Sequence, residues 1–459
     1  MTTPEHKQKR KRMEQIFWGF AVIFLIGSVS LPTASTLKIS NSIKDEDWGY
    51  VKPRESANMF WWFYGAENSA ERVNLPLILW LQGGPGASGT GFGNFMEIGP
   101  VDINMKSRST AWTKKANLLF IDNPVGAGFS YATDESGFTT NVTGIAEDLF
   151  HVFSAFMGKY PVFSNTPFYI FCESYGGKMT SVFADRLYTG QRNGEIKSNL
   201  RGVALGDSWI SATDSVLTWG PFLYQYNLLD EMDLEKVMNI SQASVTAFNA
   251  GNFALSTELW GQTEEIISKV TDDVNVYNVL QHHVPSDFQT LSSSRKLKGR
   301  LGQLFNTHVG RFQKPSLTEF MNGPVREKLG IIPKSVLWGA QSGEVFAHQS
   351  EDFMKPVVNY VDKLISYGLK VVVFQGQLDM ICDTPGAEAW IKKLEWQNLP
   401  LFLSSPRKAL YLPGQEGNTQ AFLKSYDNFS LYYIMNAGHM VPADNGPMAL
   451  QMVDQILSD

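Results

Sequence analysis

Apolar residues in this chain fall into short unbroken runs: 59–64 (MFWWFY), 75–81 (LPLILWL), 117–121 (NLLFI), 168–172 (FYIFC), 202–205 (GVAL), 370–374 (KVVVF) and 429–435 (FSLYYIM). Runs of strand length with no polar alternation suit strands covered on both faces of a sheet. Between them the period changes. Ile145, Leu149, Phe153, Phe156 and Tyr160 recur at spacings of three and four and predict one apolar helical stripe. A last helix is expected from near Pro447, with Leu450, Val453 and Leu457 inward. Strands alternating with helices predict an α/β fold, a mostly parallel central sheet flanked by helices.

The chain between 205 and 370 is too long for an ordinary crossover, whose loops run about 2–6 residues. It predicts a largely helical insertion over 210–351, a cap on a core built from 35–209 and 352–459. Within it, 292–300 (SSSRKLKGR) reads as a solvated surface loop, with a protease-accessible site as the alternative. No internal repeat is evident. At the front, Lys7, Lys9, Arg10, Lys11 and Arg12 precede an apolar run over 16–31 and then small residues up to Ser35. That is the order of a secretory signal, assigned to 1–34, either removed or retained as an anchor; the run is shorter than the roughly 18–20 residues of a spanning helix. Asn141, Asn239 and Asn428 each open an N-x-[ST] triplet and are candidate glycosylation sites.

Composition narrows the classes. Of 459 residues, 43% are hydrophobic and 18% charged, enough apolar material for a large core and against disorder. With 39 Lys+Arg against 45 Asp+Glu and the one dense basic cluster at the N-terminus, nucleic-acid binding has no electrostatic footprint. Two cysteines, Cys172 and Cys382, supply neither a disulfide framework nor a four-cysteine zinc site, and both are read as free thiols, with a single bridge as the alternative.

The chemistry centres on 168–179 (FYIFCESYGGKM). A buried strand runs into Glu173, Ser174, Tyr175, Gly176 and Gly177 and then a helix, the strand–turn–helix geometry that exposes a nucleophilic hydroxyl. Cys172 stands where the general motif has glycine. The serine needs a base, and the base an orienting carboxylate. His439 follows the run 429–435 in a turn of small residues, and Asp379 follows the run 370–374 in the same way. Ser, Asp, His in that order, each after a buried strand, is the arrangement of the α/β-hydrolases. The remaining histidines read as background: His6 lies in the signal, His151 on a helix, His308 and His348 stand isolated, and adjacent His282 and His283 do not face one point. No metal or cofactor fingerprint is present.

Five blocks together resemble the serine carboxypeptidase family: 80–89 (WLQGGPGASG), 97–100 (EIGP), 122–131 (DNPVGAGFSY), 173–177 (ESYGG) and 438–442 (GHMVP). The likeness spans about residues 48–458, and the variants WLQGGPG, LGDSWIS, QLDM and AGHMVPAD resemble one branch of that family. The resemblance implies Ser174 as nucleophile, His439 as general base and acid, Asp379 as its partner, and the N–H groups of Gly84 and Tyr175 as the oxyanion hole. It also implies that Gln82, Glu97 and Glu173 hold the free carboxylate of the substrate, although most of the family has Asn where this chain has Gln82. Two close carboxyls raise each other's pKa, so one stays protonated in mild acid and can donate to that carboxylate.

The expected function is therefore a serine carboxypeptidase acting through an acyl-enzyme, favoured at acidic pH, needing no cofactor, with peptide or protein C-termini as substrate. An esterase or acyltransferase on the same triad, or a non-enzymatic protective protein, are the alternatives. The expected location is the secretory pathway, secreted or lysosomal, with membrane contact only if the N-terminal segment is retained, and a homodimer stands beside a monomer as an alternative.

Overall fold

The computed structural model describes residues 43–282 and 300–458. The signal segment, His6, His283 and the stretch 292–299 lie outside the described residues.

Among the described residues eleven strands form one sheet: β1 (Glu46–Arg54), β2 (Ala57–Tyr64), β3 (Leu77–Leu81), β4 (Asn117–Ile121), β5 (Tyr131–Ala132), β6 (Pro167–Ser174), β7 (Asn199–Ser208), β8 (Lys370–Gly376), β9 (Lys408–Leu410), β10 (Ala421–Tyr426) and β11 (Phe429–Ile434). Their order is β1-β2-β4-β3-β6-β7-β8-β11-β10-β9, with β5 beside β2. From β4 to β11 every neighbouring pair is parallel, and β1, β2, β5, β9 and β10 add antiparallel margins. The apolar runs became the centre of the sheet: every residue of β3 and β4 is buried. β9 and β10 escaped the sequence reading because they are short or carry half-exposed polar positions. Such edges owe their strand geometry to pairing more than to apolar burial.

The stripe on the helix Val142–Lys159 is buried as expected, at Ile145, Leu149, Phe153 and Phe156. The final helix, Gly446–Ser458, turns differently. Met448, Ala449, Met452, Val453 and Ile456 face the core, while Leu450 and Leu457 are only partly buried. Val453 faces the core as expected; Leu450 and Leu457 do not, because Met448 and Met452 take the core positions, methionine filling them as well as leucine does.

Within 210–351 lie the helices Ala212–Gln225, Glu231–Asn249, Phe253–Val270, Arg300–His308 and Ser342–Gln349. The first is bonded to the core: Trp219 Nε1 donates to Ile381 O at 3.2 Å and Thr218 Oγ1 to Asp383 Oδ1 at 2.8 Å. At its far end the segment docks through Gly339 N to Gly128 O at 3.0 Å, Gln341 to both backbone groups of Ala132, and Trp338 Nε1 to Ser88 Oγ at 3.0 Å.

Candidate active site

β6 ends on Ser174, whose backbone has φ 61° and ψ −131° before the helix Tyr175–Arg192 begins. Left-handed backbone is costly for a residue with a Cβ and persists where the surroundings impose it. Those surroundings are tight. A methyl group on Gly83 would lie 2.4 Å from Ser174 Cβ, so only a bare backbone lets the loop after β3 pass this close. Gly84 follows with φ +107°, a conformation that side chains rarely adopt. Cys172, where the general motif has glycine, is fully buried and its Sγ donates to Ala204 O at 3.4 Å.

Parallel registry brings the other two residues to the same sheet edge. Gly206 pairs with Phe374 across β7 and β8, and Gly376 with Ile434 across β8 and β11. Asp379 and His439 sit in the turns just beyond. His439 Nδ1 is 2.8 Å from Asp379 Oδ2, and both side chains are fully buried. Asp379 also accepts the N–H groups of Ile381 at 2.9 Å and Cys382 at 3.2 Å. The proton is assigned to Nδ1 because it faces a carboxylate; Nε2 is then the basic nitrogen, buried and without a hydrogen bond in this structure. The Ser174 hydroxyl therefore makes no bond to it here, a contact that commonly tightens only once substrate arrives.

Ligand atoms of Asp379, Cys382 and His439 all lie within 4.8 Å of one another. Metal ligation would require the Cys382 thiolate, and burial followed by the charge of Asp379 pushes that thiol well above its usual range. The set fits a base and its partner rather than a metal centre. Both cysteines are free and buried.

Beside Ser174 lies a buried acid pair. Trp80 Nε1 donates to Gln82 Oε1 at 2.7 Å, and Gln82 Nε2 donates to Glu173 Oε1 at 2.8 Å. Glu173 in turn meets Glu97, at the end of the wide helical turn Gly89–Ile98. Both oxygens of Glu97, and Oε2 of Glu173, are buried with no donor pointing at them. Two carboxylates can only repel there; one shared proton turns the contact into a hydrogen bond. Burial pushes Glu97 up to about 7, against the lowering effect of Glu173 and Gln82, and raises Glu173 well above the carboxylate range, reinforced by the charge of Glu97.

Sequence reasoning missed what braces this site. Asp122 opens the block DNPVGAGFSY and accepts four bonds: Ser88 Oγ at 2.6 Å, Thr90 Oγ1 at 2.8 Å, Thr90 N at 3.1 Å and Phe129 N at 2.8 Å. It ties the loop after β3 to the loop after β4. His308 is not isolated: it is buried, paired with Glu264, 3.3 Å from the Tyr277 hydroxyl and packed on Trp260 with ring centres 4.3 Å apart. The ring of Tyr277 meets that of His439 edge-on at 4.7 Å. These partners are distant in sequence, and nothing local announced them. His348 is likewise not isolated, lying 3.2 Å from Glu135 and stacked on Phe138.

Of the three triplet asparagines, Asn141 and Asn239 are exposed. Asn428 is half-buried, and its Nδ2 donates to Ile365 O at 2.9 Å and Leu369 O at 2.8 Å.

A parallel-centred sheet with a strand–serine–helix turn and an Asp–His pair on one edge defines an α/β-hydrolase. The fold is shared with the prohormone-processing carboxypeptidase Kex1 of Saccharomyces cerevisiae, at TM-score 0.75 and 21% identity over 91% of this chain and 92% of that one. Residues 39–459 match the family described as serine carboxypeptidase, and the chain belongs to it. It is 47% identical over 437 residues to the retinoid-inducible serine carboxypeptidase of Rattus norvegicus, covering 95% of this chain and 96% of that one. To the human protein of the same name it is 48% identical over 410 residues, covering 89% and 90%.

Proposed function

We propose that this serine-type carboxypeptidase removes residues from free C-termini through an acyl-enzyme and works best in acid. The observation that carries the reading is the buried Glu97–Glu173 pair beside Ser174, with Gln82 bonded to it. Hydrolysis of a neutral ester has no use for a protonated acid pair; gripping a terminal carboxylate does.

Ser174 Oγ attacks the last peptide carbonyl while His439 Nε2 takes its proton, and Asp379 holds the resulting imidazolium. The N–H groups of Gly84 and Tyr175 are assigned to the developing oxyanion. The tetrahedral intermediate then expels the terminal amino acid, whose amine takes the proton from His439. Water, deprotonated in its turn by His439, cleaves the ester and frees Ser174. The segment 210–351 is assigned to the mouth of the site, where it would set side-chain preference.

Paired peptides with free and amidated C-termini, incubated at about pH 5 with wild type and S174A, test this reading. Release from the free form alone, abolished in S174A, is expected. Equal cleavage of both peptides would remove the carboxylate clamp.

The N-terminal pattern supports a route through the secretory pathway, to the exterior or the lysosome. Among the described residues no helix is long and apolar enough to cross a membrane. Glycans are assigned to Asn141 and Asn239 and not to Asn428, whose amide is already engaged; peptide mapping that finds Asn428 occupied would overturn this.

A further inference from the structure

Asp207, the last residue but one of β7, is fully buried and held at φ 37°. A non-glycine in that region is strained, and such strain collects where a side chain must be aimed. Its Oδ1 accepts the N–H of Gly376 at 2.7 Å, and the carbonyl of Gly376 takes the N–H of Asp379 at 3.3 Å. Its Oδ2 is buried with no donor directed at it. What the Asp207 carboxyl meets is the carboxyl of Asp379.

Two buried carboxylates in contact cannot both be charged, so one keeps a proton. The placement decides which. Asp379 accepts from His439 Nδ1 and from the N–H groups of Ile381 and Cys382, all of which favour its ionised form. Asp207 has the single N–H of Gly376. We propose that Asp207 is a positioning residue of the triad: as a neutral acid it donates an O–H hydrogen bond to Asp379 and fixes that carboxylate against His439. The proposal rests on the triad reading. Burial and the charge of Asp379 raise Asp207 well above the carboxylate range, which agrees with a retained proton.

The titratable groups around it come from each neighbouring element. Glu173 stands at the end of β6; Asp379, Cys382 and, beyond Asp379, Asp383 stand in the turn after β8; His439 and Asp444 follow β11. Ionisation of Asp207 in alkali would set a second negative charge against Asp379, among acids that already disfavour it. The triad would lose both its donor and its alignment.

The test is the rate at which a fluorophosphonate labels the full chain across pH for wild type, D207N, D207L and S174A, with tryptophan fluorescence reporting the fold at each pH. Labelling reads the nucleophile without using the carboxylate clamp. In wild type the rate should fall in alkali, as Asp207 ionises. D207N, whose amide still donates to Asp379 but cannot ionise, should stay within about threefold of wild type in acid and lose the alkaline fall. D207L, with no donor, should be about 10- to 100-fold slower throughout. Peptide KM should change little in D207N, because Asp207 does not touch substrate. If the D207N profile overlays that of wild type, or D207L labels as fast as wild type, the proposal is wrong. A wild type that is never labelled would remove the triad and this role with it. Should D207L fail to fold, the D207N profile decides alone.

Discussion

Gln82 shows how one methylene changes the work of a side chain. The longer amide reaches Trp80 on one side and Glu173 on the other, spending its oxygen on the indole and one N–H on the acid. The same amide also acts on Glu97 and lowers its pKa. An Asn at this position cannot span both partners from the same backbone. Q82N should therefore free Glu173 to shift and weaken substrate binding, raising KM about tenfold with a smaller change in kcat, as losing one charge-assisted bond predicts. Initial-rate kinetics on a C-terminally free peptide at acid pH measures it; an unchanged or lower KM would contradict this account of Gln82.

At the scale of elements, the site is two loops clipped together from behind. Asp122 accepts bonds from both the Ser88–Thr90 segment and Phe129, so the loop bearing Gly83 and Gly84 is held in place by a fully buried carboxylate. D122A strands four buried donors and is expected to cost about 3–5 kcal/mol in denaturant-monitored stability, with fluorophosphonate labelling lost in whatever fraction remains folded. A variant that melts like wild type would show the clip to be dispensable. The same scale explains what could be foreseen. Strands in the middle of a parallel sheet are apolar throughout, so β3, β4, β6, β7, β8 and β11 were legible as runs. The turns that carry Ser174, Asp379 and His439 were legible too, because each follows such a run, and so was the Asp379–His439 contact they make possible. Asp122 and Asp207 also end or follow apolar runs, but a single aspartate there looks like any loop acid until its partners are known. The Glu264–His308–Tyr277 contacts were invisible for a plainer reason: they join helices and turns between 253 and 308 that have no periodic relation to one another.

The whole molecule carries the acid pair as a dependence of stability on pH. Glu97, with an ordinary value of 4.5, is pushed up to about 7 by burial, so between those values the folded chain holds a proton that the unfolded chain has lost. A group raised in this way contributes fully below its unfolded pKa, and the contribution disappears as pH rises through the folded one. Glu173 and Asp207 are raised too and act in the same direction. Thermal melting should accordingly give a higher Tm near pH 5 than near pH 8, with the slope reduced in E97Q, a difference of up to about 3 kcal/mol at Glu97 by the usual conversion. A Tm that climbs over that interval would mean the pair is ionised in the folded chain.

The docking of 338–341 onto Ser88, Gly128 and Ala132 has an implication for how such enzymes diversify. Trp338 shares Ser88 with Asp122, so the segment 338–341 is stitched into the clip that steadies the loops after β3 and β4. Grafting a foreign insertion to change taste for substrate would succeed only if the transplant brought those few stitches along. New specificities are then easiest to reach by altering the interior of the insertion while its hem stays unchanged.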